Sequence, residues 1–256
     1  LNNFMLKEQF EKDGYVIINS NLIENNKFLE ICSNIYTSLE KVLKSTNIKK
    51  FRGYMMGNLN VYPGKFGDEL FELIKENKIL DLIENIIGKK ISDMELNYGG
   101  NLCLSKKGDQ HFHTDGTFSK EMYLVSIATE NITEENGPTE VCVGTHKKNF
   151  KYWQFIFSKK LKCKILLNKG DIIIRKHCLW HRGTRNLSEK NRLLLSFVIF
   201  PRSLDNQTKP TKTSQISISS NFFKENNIGL LQEFIYSKLK FIHFTLRLLK
   251  SILSKS

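Results

Sequence analysis

The sequence predicts an α+β fold in which a helical first part covers an antiparallel barrel or sandwich. Apolar residues recur at helical spacing along the first hundred residues, whereas short apolar runs separated by turn residues follow from about Asn97 to Pro201. The composition fits a globular core, because 40% of the 256 residues are hydrophobic and 11% are aromatic.

The predicted helices of the first part are scaffold elements. Each carries apolar residues three and four positions apart, and Gly88 ends the last of them in the manner common at helix C-termini. A short strand, Tyr15–Ile18, follows the Asp13-Gly14 turn. The predicted helices span Met5–Lys12, Glu24–Lys44 and Asp68–Ile87.

The barrel is predicted from short apolar runs between tight turns at Asn136-Gly137 and Lys169-Gly170-Asp171. The last run is almost wholly apolar, which is expected of a strand covered on both faces. The predicted strands are Tyr123–Ala128, Thr139–Val143, Ile165–Leu167, Asp171–Ile174 and Leu193–Phe200.

Residues 1–202 are predicted to form a single domain, with the barrel core at about residues 97–201. The remainder, 203–256, is predicted as a polar loop, Ser203–Ser220, followed by one basic amphipathic helix, Ile228–Leu253. Charges interrupt that helix too often for a membrane span. A packing or dimerisation role is favoured for it, with peripheral contact to an anionic membrane as the alternative. The oligomeric state is left open.

The net charge of +13 is compatible with nucleic acid, an anionic membrane or an anionic small-molecule substrate. The basic residues are spread widely and no RNA-binding signature is present, so no nucleic-acid partner is expected. Five cysteines without a CxxC motif predict buried thiols in a reducing compartment. A cytoplasmic location is therefore expected, membrane-peripheral if the last helix binds lipid.

Three residues form a candidate metal-binding set. His113 and Asp115 are two positions apart, so their side chains point to the same side of an extended segment. His181, just beyond another predicted strand, offers a third ligand. Two histidines and one carboxylate are the facial triad of non-haem Fe(II) oxygenases, which leaves one face of the metal open. Zinc or manganese could bind the same three residues.

Arg192 begins the apolar strand eleven residues after His181. A charged residue there is costly unless it meets an anion. Its planar guanidinium suits the distal carboxylate of a short dicarboxylate, whose 2-oxo acid end would chelate the metal. The alternative is an ordinary ion pair at a strand edge.

These motifs, in this order and spacing, resemble the phytanoyl-CoA dioxygenase family over about Tyr15 to Pro201. The resemblance implies a double-stranded β-helix (a jelly-roll or cupin-like barrel) with flanking N-terminal helices and a C-terminal helix. It also implies Fe(II), 2-oxoglutarate and dioxygen, and the oxidation of an unactivated C–H bond. The motifs that carry it are His113-Thr114-Asp115, Asn136-Gly137-Pro138, Val143-Gly144-Thr145-His146, Gly170-Asp171, and His181 with Arg192.

By that resemblance His113, Asp115 and His181 bind iron and act in catalysis, and Arg192 binds 2-oxoglutarate. Relatives often carry a serine two residues after the second histidine, where this chain has Gly183, so Thr184 is expected to supply the hydroxyl. Gln110 and Asn101 are further candidates for hydrogen bonds to the co-substrate or substrate. The intact carboxylate argues against halogenation. The predicted substrate is small or lipid-like, and the basic charge favours an anionic one.

Two other functions fit the same residues. One is a cupin-like metal enzyme that works without 2-oxoglutarate, and the other is a non-catalytic barrel that binds a ligand. Replacement of Arg192 distinguishes them, because it should weaken 2-oxoglutarate binding only in the oxygenase.

Overall fold

The computed structural model describes residues 3–202 and 214–254 of the chain. The helices in those residues are α1 (Asn3–Asp13), α2 (Asn26–Ser45), α3 (Lys65–Glu76), α4 (Ile79–Ile87), α5 (Tyr152–Phe157), α6 (Asn227–Lys238) and α7 (Lys240–Leu253). The strands are β1 (Tyr15–Ile18), β2 (Asn58–Tyr62), β3 (Met94–Cys103), β4 (Tyr123–Ala128), β5 (Thr139–Cys142), β6 (Lys162–Ile165), β7 (Ile172–Lys176), β8 (His181–Gly183), β9 (Arg192–Pro201) and β10 (Ser217–Ser219).

Two antiparallel sheets make up the β part, as the sequence predicts. The larger sheet has the order β1-β7-β4-β9-β3-β2-β10, and the smaller has the order β6-β5-β8. An isolated bridge between His113 and His181 joins the segment before β4 to the smaller sheet. Residues of both sheets line one cavity, which therefore lies between them.

Strict alternation along β9 separates the core from the cavity. Leu193, Leu195, Phe197 and Ile199 are buried in the main hydrophobic cluster. The residues between them point to the other face, where Arg192, Leu194, Ser196 and Val198 line the cavity. The same period operates in β7, where Ile172 and Ile174 join the core while Ile173 and Arg175 line the cavity.

Helices α1 to α4 cover the outer face of the larger sheet, as predicted. Their apolar stripes pack into the same cluster as the sheet residues, including Phe10 from α1, Phe28 and Ile35 from α2, Leu70 from α3 and Ile83 from α4. The side chain of Asn25 caps α2 by accepting from the backbone N–H groups of Lys27 and Phe28. Gly88 ends α4 in the left-handed conformation, at φ 71°.

Several predicted elements differ from the structure. The continuous helix expected at Asp68–Ile87 is two helices, because Lys78 takes a left-handed φ of 56°. The strand expected at Ile165–Leu167 lies earlier, as β6. Strands β2, β3, β8 and β10 were not among the predicted strands, although most of β3 falls in the region expected to form the barrel; β10 lies inside the expected loop Ser203–Ser220, of which 203–213 fall outside the described residues.

The single C-terminal helix predicted at Ile228–Leu253 is also two helices, which meet at Leu239. They pack on the chain around the candidate metal ligands. The Tyr236 hydroxyl accepts from the His111 backbone N–H at 2.6 Å, and the Arg247 guanidinium donates to the Phe112 carbonyl at 2.7 Å. Within the described residues, no helix has both the length and the apolar character required to cross a bilayer.

Candidate active site

The fold brings the three predicted metal ligands together. His113 Nε2 lies 3.8 Å from Asp115 Oδ1, and His181 Nε2 lies 3.6 Å from the same oxygen. One ligand atom from each residue lies within 4.8 Å of the others. Ligands about 2.1 Å from an octahedral ion are about 3 Å apart at right angles, so a metal requires each imidazole to move about 1 Å or less toward the carboxylate, and the two imidazoles to close by at most about 2 Å.

Backbone carbonyl groups set the tautomer of both histidines. His113 Nδ1 is 2.9 Å from the His111 carbonyl oxygen, and His181 Nδ1 is 2.9 Å from the Leu179 carbonyl oxygen. A carbonyl oxygen only accepts, so each Nδ1 carries the hydrogen. Both Nε2 atoms are then left with a lone pair that faces the carboxylate, which is the usual arrangement of metal-binding histidines.

Burial keeps both imidazoles neutral. It lowers the pKa of His113, and burial together with Arg175 lowers the pKa of His181 to about 3. Neutral imidazole is the form that binds a metal, so no proton has to leave either histidine at neutral pH.

The two oxygens of the Asp115 carboxylate face different partners. Its Oδ2 accepts from Arg175 Nη2 at 2.6 Å, while Oδ1 faces the two histidines. Burial acts to raise the pKa of Asp115, but Arg175 and the two imidazoles outweigh it and hold that pKa well below its usual range. The carboxylate is therefore ionised and oriented as a ligand through one oxygen.

The triad opens into a cavity of about 670 Å³ between the two sheets. Its walls combine apolar side chains with several amides, hydroxyls and the two arginines. The cavity-lining side chains of the larger sheet include Asn60, Tyr62, Asn97, Asn101, Leu124, Ser126, Ile173, Arg175, Arg192, Leu194, Ser196 and Val198.

Arg192 lines this cavity and is only 2% exposed. Its Nη2 donates to the Gly137 carbonyl at 2.6 Å, but its buried Nε has no hydrogen-bond partner. Across residues 3–202 and 214–254, no carboxylate forms an ion pair with it. A buried guanidinium without an ionic partner is costly, and an anion bound in the cavity would offset that cost.

Comparison with family profiles gives one match, to the family described as phytanoyl-CoA dioxygenase (PhyH), over residues 10–194. That range includes the whole triad and Arg192. The chain belongs to the phytanoyl-CoA dioxygenase family. Enzymes of this family use Fe(II) and 2-oxoglutarate, and the donor set found here suits that metal. A comparison with curated protein sequences gives no match.

Solved structures with the same fold confirm the jelly-roll prediction. The epimerase SnoN, in complex with Fe3+, alpha ketoglutarate and nogalamycin RO, has a TM-score of 0.62 at 14% identity, covering 87% of this chain and 96% of its own. The carbocyclase SnoK from nogalamycin biosynthesis has a TM-score of 0.58 at 12% identity, covering 84% and 96%. AviO1 from Streptomyces viridochromogenes Tue57 has a TM-score of 0.58 at 13% identity, covering 82% and 98%.

Gln110 and Asn101 both line the cavity of this family member. The Gln110 side chain is held in place, because its Oε1 accepts from the Gly183 N–H at 2.7 Å. A Cβ on Gly183 would lie 3.1 Å from that oxygen. Gln110 therefore occupies the space next to Gly183, which explains the departure from the serine found in relatives.

Thr184 lies elsewhere. Its hydroxyl donates to the Pro138 carbonyl at 2.7 Å, and Thr184 is absent from the cavity wall. The structure therefore gives the hydroxyl a backbone partner and leaves no donor for a co-substrate at this position. Thr184 points away from the cavity because side-chain direction reverses from Gly183 to the next residue along an extended segment.

The other histidines near the site have structural partners. His177 lies between the carbonyl groups of Met122 and Thr117, each 2.9 Å from a ring nitrogen. His111 packs against the rings of Tyr236 and His243, with centroids 4.3 and 4.4 Å away. Neither ring is part of the cavity wall.

Sequence reasoning missed two residues of the site. Arg175 was not among the predicted site residues, although period-two alternation from Ile173 places it on the cavity face. Phe222 lies in a mainly polar segment before α6 and was not predicted as a site residue. Its ring lies edge-on to His113 with centroids 4.8 Å apart, and its φ of 64° is left-handed. No sequence signal identifies that contact.

Proposed function

We propose that this protein is an Fe(II)- and 2-oxoglutarate-dependent dioxygenase that hydroxylates an unactivated C–H bond of a small or lipid-like molecule. The observation that carries the proposal is the buried guanidinium of Arg192, which shares a cavity with the triad and has no anionic partner among the described residues. A triad alone fits many metal proteins, whereas a triad with a buried anion receptor fits a dicarboxylate co-substrate.

His113, Asp115 and His181 would hold the iron, and Arg192 would bind the distal carboxylate of 2-oxoglutarate. Bound Fe(II) supplies the activation of dioxygen, coupled to oxidative decarboxylation of the co-substrate. The two hydrogen-bonded Nδ1 atoms keep both imidazoles in the tautomer that can ligate. The Arg192 fork fixes the direction from which the co-substrate approaches the metal.

Arg175 has a second role in this scheme. Fe(II), one aspartate and the 2-oxoglutarate dianion together carry one net negative charge. Arg192, paired with the distal carboxylate, cancels that charge, so Arg175, 2.6 Å from Asp115, acts on the carboxylate itself, which it keeps ionised and oriented. It also prevents the carboxylate from rotating to bind through both oxygens.

The substrate side of the cavity is of mixed character. Asn60, Asn97 and Asn101 offer amide groups that can donate or accept, while Leu124 and Val198 offer apolar surface. Such walls suit a molecule with several polar groups on an apolar frame. The two arginines favour an anionic group on the co-substrate or substrate.

Product analysis tests the chemistry itself. Incubation with Fe(II), 2-oxoglutarate and dioxygen should yield succinate at a stoichiometric ratio to a product that is heavier than the substrate by one oxygen atom. The folds shared with an epimerase and a carbocyclase make two other outcomes informative: a product of unchanged mass would replace hydroxylation with epimerisation, and loss of two hydrogens would replace it with ring closure.

Succinate formation in the absence of substrate tests the co-substrate assignment. Slow turnover that requires Fe(II) and is lost in His181→Ala and Arg192→Met supports the proposal. Iron binding without any succinate would favour a cupin-like enzyme that works without 2-oxoglutarate, or a non-catalytic barrel.

A further inference from the structure

Helix α7 directs most of its large apolar residues to solvent, while its inner side combines the polar Arg247 and His243 with Phe244 and Leu248, which pack on a small apolar cluster. Phe241 and Leu253 are 80% and 78% exposed. On the inner side, the Arg247 guanidinium lies 3.9 Å from the Tyr152 ring centroid, and His243 packs on Tyr236. A surface helix of a monomeric protein ordinarily has the opposite orientation.

Helix α6 has the same inverted pattern. Its one acidic residue, Glu233, is buried and accepts from the backbone N–H groups of Gly53 and Met55 at 2.8 Å. The outward residues of α6 are mainly apolar. Across the two helices and the Leu239 junction, the exposed large apolar residues are Ile228, Leu230, Leu231, Phe234, Leu239, Phe241, Ile242, Leu246, Leu249, Ile252 and Leu253.

This surface, called here the α6–α7 face, carries eleven exposed large apolar residues, and extended exposed apolar surfaces mark sites of interaction. Its residues are spread over two neighbouring helices and form an exposed outer surface, not a pocket. The inward-facing residues of α6 and α7 contact the segment that carries the candidate metal ligands. No described residue covers the exposed apolar residues of the α6–α7 face.

The exposed charged side chains on α6 and α7 themselves are basic, and two carboxylates lie beside them: Asp109 pairs with Lys240, and exposed Glu225 precedes α6. Residues 227–254 contain no exposed carboxylate, whereas Lys238 and Lys250 are exposed on the two helices. Lys151 adds a third cation beside the end of α7, where its Nζ donates to the Ser254 carbonyl at 2.8 Å. Lys159 and Lys160 are exposed just after α5, which packs beside α7.

A negatively charged lipid surface complements both features. Its acyl region accommodates the exposed leucines and phenylalanines, and its anionic headgroups attract the lysines. A second copy of this chain would instead bring two lysine-bearing faces of a +13 protein together. We infer that the α6–α7 face binds peripherally to an anionic membrane, with both helices lying in the plane of the interface.

The α6–α7 face begins close to the cavity along the chain. Asn221 and Phe222 line the cavity and lie only a few residues before α6 begins at Asn227. Membrane docking would therefore hold the cavity close to lipid. The inference does not depend on the proposed reaction, because it uses no residue of the metal site.

Vesicle co-sedimentation of the full chain tests the inference. Vesicles of phosphatidylcholine alone are compared with vesicles that also contain phosphatidylserine, at low and at physiological salt. The variants are F241S/L249S, which removes apolar groups from the face, and K238E/K250E, which reverses two charges. L166S/L187S is the matched control, because it removes two exposed leucines near the loop 131–136 of the smaller sheet.

Wild type and control should pellet with the anionic vesicles, and salt should weaken the binding. F241S/L249S should lower the partition coefficient at least about tenfold, and K238E/K250E about tenfold or more. Thermal unfolding of each variant should match that of wild type, since all four positions of these two variants are exposed.

Two results would overturn the inference. One is the absence of wild-type binding to anionic vesicles, or binding that F241S/L249S leaves unchanged. The other is a concentration-dependent dimer in sedimentation velocity that F241S/L249S dissociates, which would assign the face to a second copy of the chain.

Discussion

Arg175 Nη2 lies 2.6 Å from Asp115 Oδ2, and this contact orients the carboxylate of the candidate metal site. The other oxygen of Asp115 is thereby directed to His113 Nε2 and His181 Nε2, at 3.8 and 3.6 Å. The pair spans two elements, since Arg175 is on β7 and Asp115 follows the bridge to β8. The larger sheet therefore positions a ligand that the loop alone could not fix.

Replacing Arg175 tests this contact. Arg175→Gln removes the cation but keeps a polar side chain, so the carboxylate loses its ionic partner and with it its fixed orientation. We expect the affinity for Fe(II), measured with 2-oxoglutarate present, to fall about 10- to 100-fold. Anaerobic titration followed by a metal-sensitive dye gives the affinity.

Lys176→Gln is the control for that prediction, because Lys176 is the next residue on the same strand and pairs with the exposed Glu11 on the outside. Its Fe(II) affinity should equal that of wild type. Equal affinities in both variants would show that Arg175 does not orient the ligand.

Arg192→Met separates binding from stability. Replacing a buried, unpaired guanidinium by an apolar side chain of similar length should leave the Tm of the metal-free protein unchanged or raise it. The Tm increase that Fe(II) alone produces should remain, whereas the further increase that 2-oxoglutarate gives the Fe(II)-loaded wild type should be lost. Differential scanning fluorimetry without ligand, with Fe(II) alone and with both ligands measures the two effects, with Arg185→Met, an exposed arginine, as the control.

A 2-oxoglutarate-induced Tm shift in Arg192→Met equal to that of wild type would contradict the role of Arg192. A large fall in the Tm of the metal-free variant would instead indicate a structural ion pair.

Thr184→Val tests the reassignment of that hydroxyl. The substitution removes the hydrogen bond to the Pro138 carbonyl and should lower the free energy of unfolding by about 1–2 kcal/mol. The affinity for 2-oxoglutarate should not change, because Thr184 lies outside the cavity wall. Urea unfolding and co-substrate titration give the two quantities; weakened co-substrate binding with unchanged stability would restore the expectation drawn from the sequence.

Glu233 anchors α6 to the loop before β2, so its loss should destabilise the protein. Glu233→Ala leaves the buried N–H groups of Gly53, Met55 and Met56 without their acceptor. We expect the free energy of unfolding to fall by about 3 kcal/mol in urea. Gln232→Ala, at the exposed neighbouring position, should change it by less than about 0.5 kcal/mol; equal effects of the two variants would be inconsistent with the anchoring role.

The sequence was most informative where side-chain type and spacing determine the result. Strands β1 and β4 were predicted at their observed limits, and the order of His113, Asp115, His181 and Arg192 was enough to predict one shared site. These features depend on local periodicity and on donor chemistry, which a single sequence displays directly.

The sequence was least informative where backbone geometry or contacts between distant residues determine the structure. The break at Lys78 needs a left-handed residue inside an uninterrupted apolar pattern. The break at Leu239 similarly interrupts continuous helical spacing. Arg175 is recognisable as a site residue only once its partner Asp115 is known to lie 2.6 Å away, across a separation of sixty residues.

The most direct test of the central claim is anaerobic titration of the Fe(II)-loaded protein with 2-oxoglutarate, followed in the visible range. The account predicts a weak charge-transfer band that saturates with co-substrate, is absent in His181→Ala and requires far more 2-oxoglutarate in Arg192→Met. Tight Fe(II) binding by wild type with no band at any 2-oxoglutarate concentration would contradict the assignment of the cavity to this co-substrate.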